Sequence, residues 1–156
     1  MFDQIFDDIE EGLKESKKVQ FVGLILDKSG SMAGMESVTK EIVDEQLTEL
    51  FELSKETNIH TYVTIAMFSN GGDFVMETFD LINQKDIDKC NEFTDKNYKC
   101  GGMTAVFDSM GKVINTIQKK NDENKDKEIE NLVITVSDGL ENASIEMNSD
   151  SIKKMV

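Results

Sequence analysis

The stretch FVGLILDKSGSMAG, residues 21–34, most constrains how this chain can fold. From Phe21 through Leu26 it is apolar, with only Gly23 small. It stops at Asp27 and turns polar and flexible through Lys28, Ser29, Gly30 and Ser31. A short, continuous apolar run closed by a turn signal predicts a strand buried on both faces. Asp27, Ser29 and Ser31 then stand together at the carboxyl end of a buried strand, where open α/β sheets place their ligand sites. One carboxylate and two hydroxyls at alternate positions are hard oxygen donors, suited to Mg²⁺ or Mn²⁺ rather than zinc.

The rest of the chain alternates in kind. Before the strand, Phe2, Ile5, Phe6, Ile9 and Leu13 recur at steps of three and four. That spacing predicts an amphipathic N-terminal helix within residues 1–18, packed on the domain surface or docked to a partner. Residues 36–57 read as a long helix with Val38, Ile42, Val43, Leu47, Leu50 and Phe51 on one side and Asn58 as its stop. Residues 62–68 (YVTIAMF) and 74–79 (FVMETF) flank Asn70, Gly71 and Gly72, so they read as a hairpin with the third strand antiparallel to the second. Residues 83–100 read as a short helix and a loop. Val106, Met110, Val113, Ile114 and Ile117 form a helical stripe that opens after Gly101, Gly102, Met103 and Thr104. The charged run at 121–130 reads as a solvated connection. Residues 132–136 (LVITV) read as a buried strand ending at Ser137, Asp138 and Gly139, and 150–156 begins a further helix.

These elements predict one three-layer, doubly wound α/β domain over residues 19–156, Rossmann-like, with a mostly parallel sheet and one antiparallel edge strand. The expected strand order is 3-2-1-4. In that order the first and fourth strands are neighbours at the point where the winding reverses. Asp27 and Asp138 then meet across the crevice, and Thr104 enters from the same end of the sheet.

The segments DKSGS, GGMTAVFDSM and VITVSDGLENAS occur in that order and resemble the metal-ion-dependent adhesion site of von Willebrand factor A domains over roughly residues 20–145. That pattern is Asp-x-Ser-x-Ser followed by a distant Thr and a distant Asp. One residue, Met103, separates the glycines here from the threonine. The resemblance implies a metal site made of Asp27, Ser29, Ser31, Thr104 and Asp138, holding Mg²⁺, with Mn²⁺ or Ca²⁺ as substitutes. It implies that an Asp or Glu of a protein partner completes the coordination shell. It also implies about two further strands beyond the Asp-Gly strand, so the domain is expected to be incomplete. The edge from Leu132 to Val136 would then be open to self-association. Asp108 reads as an acceptor for loop amides, not a ligand.

The sequence weighs against several other functions. It has 31 acidic residues against 17 basic ones, a net charge of -14, which disfavours nucleic acid and anionic membrane as partners. No apolar run reaches membrane-spanning length. The N-terminus is acidic and lacks a basic-then-apolar leader, so the expected location is the cytoplasm. Cys90 and Cys100 are expected as free thiols there. Absent proline and frequent lysine point to an AT-rich bacterial or phage genome. A phosphohydrolase of the haloacid dehalogenase type would need a second aspartate where Ser29 stands. A serine hydrolase would need His60 near the loops, and His60 precedes the second strand. A metal-free structural scaffold is the remaining alternative. The expectation is therefore a binding module and not an enzyme.

Overall fold

A computed structural model describes residues 18–68, 74–101 and 106–137. The N-terminal helix expected within 1–18, apart from Lys18, which opens a strand, lies outside the described residues, as do the Asn70 to Gly72 turn, Thr104, Asp138 and the helix expected at 150–156. Among those described, the order is β1 (Lys18–Asp27), a single 3-10 turn (Gly30–Met32), α1 (Glu36–Thr57), β2 (His60–Phe68), β3 (Val75–Leu81), α2 (Gln84–Asn97), α3 (Val106–Glu123) and β4 (Glu128–Val136).

The sheet runs β3-β2-β1-β4, as the alternation of elements predicts. β1 pairs parallel with β2, from Val19 opposite His60 to Asp27 opposite Phe68. It pairs parallel with β4 on its other side, from Lys18 opposite Glu128 to Leu26 opposite Val136. β3 is antiparallel to β2. A strand in a parallel sheet covered by helices on both faces buries both of them. β1 does so, with Val22, Leu24 and Leu26 on one face and Val19, Phe21 and Ile25 on the other.

Each face has its own core. Val43, Leu47, Leu50 and Phe51 of α1, with Ile87 and Cys90 of α2, close the first face. Val113 and Ile117 of α3 close the second. Gly23 lies under α3. A Cβ at that position would fall 2.4 Å from Val113 Cγ1 and 3.3 Å from Ile117 Cδ1. The one small residue in the apolar run is therefore a notch that admits the helix.

Several boundaries differ from the sequence reading, each for a local reason. β1 begins at Lys18, because Lys18 Nζ reaches Glu130 at 3.0 Å across the β1–β4 pair and extends the ladder below Phe21. β2 starts at His60, whose Nε2 donates to Asp80 Oδ1 at 2.7 Å on β3. β3 runs over Val75–Leu81, not 74–79. α2 is a full helix of 14 residues where a short helix and a loop were expected. Its buried stripe is Ile87, Cys90 and Thr94, two of them small enough to hide the apolar pattern. Its start is a capping box: Asn83 Oδ1 accepts from Lys85 N, and Asp86 Oδ2 accepts from Asn83 N. α1 ends as expected at Asn58, which takes the left-handed conformation with φ 54°.

The charged run at 121–130 is not a single connection. It supplies the last turn of α3, a short turn and the first residues of β4. Charged side chains fit there because β4 is the edge of the sheet among the described residues. For the same reason residues 132–136 are not a buried strand: none of them is fully buried, and Leu132 is 40% exposed.

Candidate metal centre

The site grows from the end of β1. Asp27 is fully buried, and Ser29 is nearly so. The Asp27 carboxylate accepts from Ser29 N at 2.8 Å through Oδ1, an Asx turn that bends the chain as soon as the strand ends. The turn places Ser29 Oγ 3.0 Å from Ser31 Oγ. Met32, 2% exposed, anchors the 3-10 turn below it. Gly34 follows at φ 90°, and its N–H donates to Glu36 Oε2 at 2.8 Å, which joins the loop to the start of α1. Backbone hydrogen bonds, that of its own amide first, hold the Glu36 carboxyl below the usual carboxylate range.

Three more segments converge on Asp27. The register that sets Leu26 opposite Val136 brings residue 137 beside residue 27. Ser137 Oγ accordingly donates to Asp27 Oδ2 at 2.8 Å. Tyr98 Oη donates to the Asp27 carbonyl at 2.7 Å and lies 3.3 Å from Thr39 Oγ1 of α1. Lys28 donates its N–H to the Phe68 carbonyl at 2.9 Å, and its own carbonyl accepts from Gly101 N at 2.7 Å. The structure thus brings Asp27, Ser29 and Ser31 together, and fixes Ser137 and Gly101 against the same turn. Asp138 is the residue after Ser137, and Thr104 comes three after Gly101; both lie outside the described residues.

Ser137, Tyr98 and Gly101 are site residues that sequence reasoning passed over. Ser137 had a signal, since it stands between the apolar strand and Asp138. Tyr98 had none, because it sits in a polar stretch. Burial pushes the Tyr98 hydroxyl well above its ordinary pKa, so it stays a neutral donor. Tyr98→Phe leaves the Asp27 carbonyl without this donor and is expected to cost about 1–2 kcal/mol. Thermal unfolding of the variant checks this, and an unchanged melting temperature counts against a structural role for the hydroxyl.

The donor set fits a hard divalent cation. Among the described residues no Lys, Arg or His pairs with the Asp27 carboxylate, so a fully buried acid stands there with hydrogen bonds alone. A buried charge without a counter-charge is costly. In octahedral coordination at about 2.0–2.1 Å, adjacent oxygens stand about 2.9 Å apart. Ser29 Oγ and Ser31 Oγ are hydrogen-bonded to each other at 3.0 Å, so the two hydroxyl oxygens stand adjacent, near enough to serve one ion. Among the described residues no group of three or more His, Cys, Asp and Glu gathers, and the oxygens that meet at this turn are one carboxylate and two hydroxyls.

His60 is remote from this chemistry. It opens β2 while Asp27 pairs with the last residue of β2, a separation of roughly 26 Å at 3.3 Å per residue. His60 is bound to Asp80 and stacked on Tyr62 at 4.2 Å. The two cysteines are free thiols, as expected. Burial pushes Cys90 up to about 12 and raises Cys100 as well. No helix among the described residues is long and apolar enough to cross a membrane.

Comparison with known proteins bears on the same architecture. No curated protein matches the chain. Among solved structures, the pilus adhesin SpaC from Lactobacillus rhamnosus GG is similar, with a TM-score of 0.56 at 14% sequence identity. The likeness covers 80% of this chain and 16% of that one, so the chain spans only a small part of the adhesin's length, and what they share is the fold. Residues 22–155 match the von Willebrand factor type A domain, from inside β1 to beyond β4. With the 3-2-1-4 sheet and the loop cluster at its carboxyl end, that match makes this chain a member of the von Willebrand factor type A domain family.

Proposed function

We propose that the chain is a non-catalytic protein-binding module whose binding depends on a divalent metal at a metal-ion-dependent adhesion site. Family membership supports an interaction module. The observation that carries the metal dependence is the turn after β1: a buried carboxylate with no cationic partner among the described residues, beside two adjacent hydroxyls.

Asp27, Ser29 and Ser31 would hold the ion, joined by Thr104 and Asp138. Ser29 and Ser31 bring oxygen without charge. Asp27 brings charge, and Ser137 and Ser29 N orient its two oxygens. A metal bound by so few charges keeps an electrophilic position, which suits a carboxylate from a partner. The partner's recognised group is accordingly an Asp or Glu side chain. Ser29 occupies the place where a haloacid dehalogenase enzyme carries its acid/base aspartate, which disfavours that phosphohydrolase reading.

Thermal unfolding with Mg²⁺, Mn²⁺, Ca²⁺ or EDTA tests the proposal. Mg²⁺ and Mn²⁺ should raise the melting temperature of the EDTA-treated chain, by about 2.7 kcal/mol of stability at a hundred times the dissociation constant. Ser29→Ala, Ser31→Ala and Asp138→Ala should shrink the shift. Thr104→Ala should spare it and impair partner capture, since a single neutral ligand is readily replaced by water. An EDTA-treated chain that melts identically with and without Mg²⁺ sinks the metal-dependent reading and leaves the metal-free scaffold.

A further inference from the structure

β3 is an open edge of the sheet. It lies outermost in the order β3-β2-β1-β4, and among the described residues nothing pairs with its outer side. Alternate residues of such a strand direct their N–H and C=O groups away from the sheet. Natural edges are blunted by bulges, prolines, lysines or brevity. β3 has none of these. Its seven residues, VMETFDL, include no Lys and no Pro. Its ladder with β2 runs from Val75 opposite Met67 to Leu81 opposite Thr61 without a bulge. Of its two acidic residues, Asp80 is held by His60. The other, Glu77, lines a cavity of about 460 Å³ between β3 and α2. Phe79 lines it from the strand as well, and Lys89, Phe93 and Lys96 line it from α2. Phe79 and Phe93 meet there edge to face, with ring centroids 5.6 Å apart. α2 therefore stands back from the edge and leaves room for the side chains of an added strand.

We propose that β3 pairs antiparallel with β3 of a second copy of this chain, about a two-fold axis through Thr78. Thr78 is the middle residue of the strand, so this register pairs every position of β3, from Val75 opposite the partner's Leu81 to Leu81 opposite the partner's Val75. A centre at Glu77 would set two carboxylates directly opposite each other, which is destabilising. A centre at Phe79 would leave Val75 and Met76 without partners in the strand. About Thr78, the partner's Phe79 stands opposite Glu77 and diagonal to Phe79, within reach of the Phe79 and Phe93 rings. The partner's Glu77 stands opposite Phe79, so its carboxylate enters the cavity that Lys89 and Lys96 line. The cavity thus offers rings and cations, and the strand of a second copy brings a ring and an anion to it. Two four-stranded sheets become one continuous sheet, with β4 at each far edge. The net charge of -14 on each chain opposes the pairing, so association should tighten as salt is added.

Sedimentation velocity of the full chain, from micromolar to millimolar concentration in EDTA, tests this. A reversible monomer–dimer equilibrium is expected, shifted toward dimer by added salt. It needs no metal, so its failure leaves the metal-dependent reading untouched. Glu77→Lys should weaken the dimer about tenfold, because it brings a further cation to Lys89 and Lys96, and adding Lys89→Glu with Lys96→Glu should restore it. Spin labels locate the contact. In a Cys90→Ala, Cys100→Ala background, a nitroxide on Thr78→Cys should show dipolar broadening in the dimer, since the paired backbones lie about 5 Å apart there. A nitroxide on Leu132→Cys should not, since β4 lies at the far edge of each copy. Three results overturn the proposal. One is a chain that stays monomeric at every concentration. Another is a dimer that Glu77→Lys leaves unchanged while the chain stays folded. The third is broadening at Leu132→Cys in place of Thr78→Cys, which makes β4 the paired edge.

Discussion

Asp27→Asn is expected to raise the melting temperature of the metal-free protein and to abolish its response to Mg²⁺. Asp27 is fully buried, with hydrogen bonds from Ser29 N and Ser137 Oγ and no cationic partner among the described residues. Asparagine keeps the shape and an acceptor for Ser29 N, while its amide can donate to Ser137 Oγ. It removes the charge whose burial is uncompensated without metal. Leaving a buried charge uncompensated costs about 3–5 kcal/mol, of which the bonds from Ser29 N and Ser137 Oγ offset part, and each kcal/mol moves the midpoint of a domain this size by about 2–4 °C. With saturating Mg²⁺ the order reverses, because wild type gains stability by mass action and the variant does not. Calorimetry of both proteins, with EDTA and with Mg²⁺, should therefore give lines that cross. If the variant is less stable in EDTA and still responds to Mg²⁺, Asp27 is only a structural acceptor.

The second large effect sits four residues earlier. Gly23→Val should cost more than the about 1–3 kcal/mol typical of an overpacked core, enough to leave much of the chain unfolded at physiological temperature. Valine needs its Cβ where Val113 Cγ1 already lies within 2.4 Å, and its methyls would reach farther into α3. β1 cannot retreat, since it is held on both sides by β2 and β4. Gly23→Ala tests the same contact more gently. Adding Val113→Ala to Gly23→Ala should recover part of the loss, because it removes the colliding methyl. Chemical denaturation gives the three values. A double variant no more stable than Gly23→Ala alone would show that helix docking is not what requires the glycine.

Much of this architecture was legible in the residues, for reasons that differ between elements. β1 announces itself because a parallel strand covered by helices on both faces is apolar on both, and its run stops abruptly at Asp27. The antiparallel β3 followed from the Asn-Gly-Gly turn, although that turn itself lies outside the described residues. α2 was underestimated because Cys90 and Thr94 occupy core positions without looking apolar, and its real signal was the Asn83 and Asp86 cap. The lower part of β4 was missed because Glu128 and Glu130 read as solvated charge, which is also how an exposed edge reads. Asp27, Ser29 and Ser31 stood out because carboxylate and hydroxyls follow a buried strand without a gap. Tyr98 could not stand out, because its hydroxyl matters only through a partner 71 positions away.

That distance also bears on how the chain reaches its native state. Two hydrogen bonds on Asp27 join residues separated by 71 and 110 positions in sequence. Closing loops of that length is entropically unfavourable, and contacts of such range slow folding relative to local ones. Ser29 and Ser31 can meet Asp27 within one local turn, but the carboxylate is clamped only after β4 has docked beside β1. The turn after β1 is thus synthesised well before β4 and finished only after β4 has docked. A chain that ends anywhere between Phe68 and Ser137 keeps Asp27, Ser29 and Ser31 but lacks the Ser137 clamp on the carboxylate, so this turn is complete only when the sheet is.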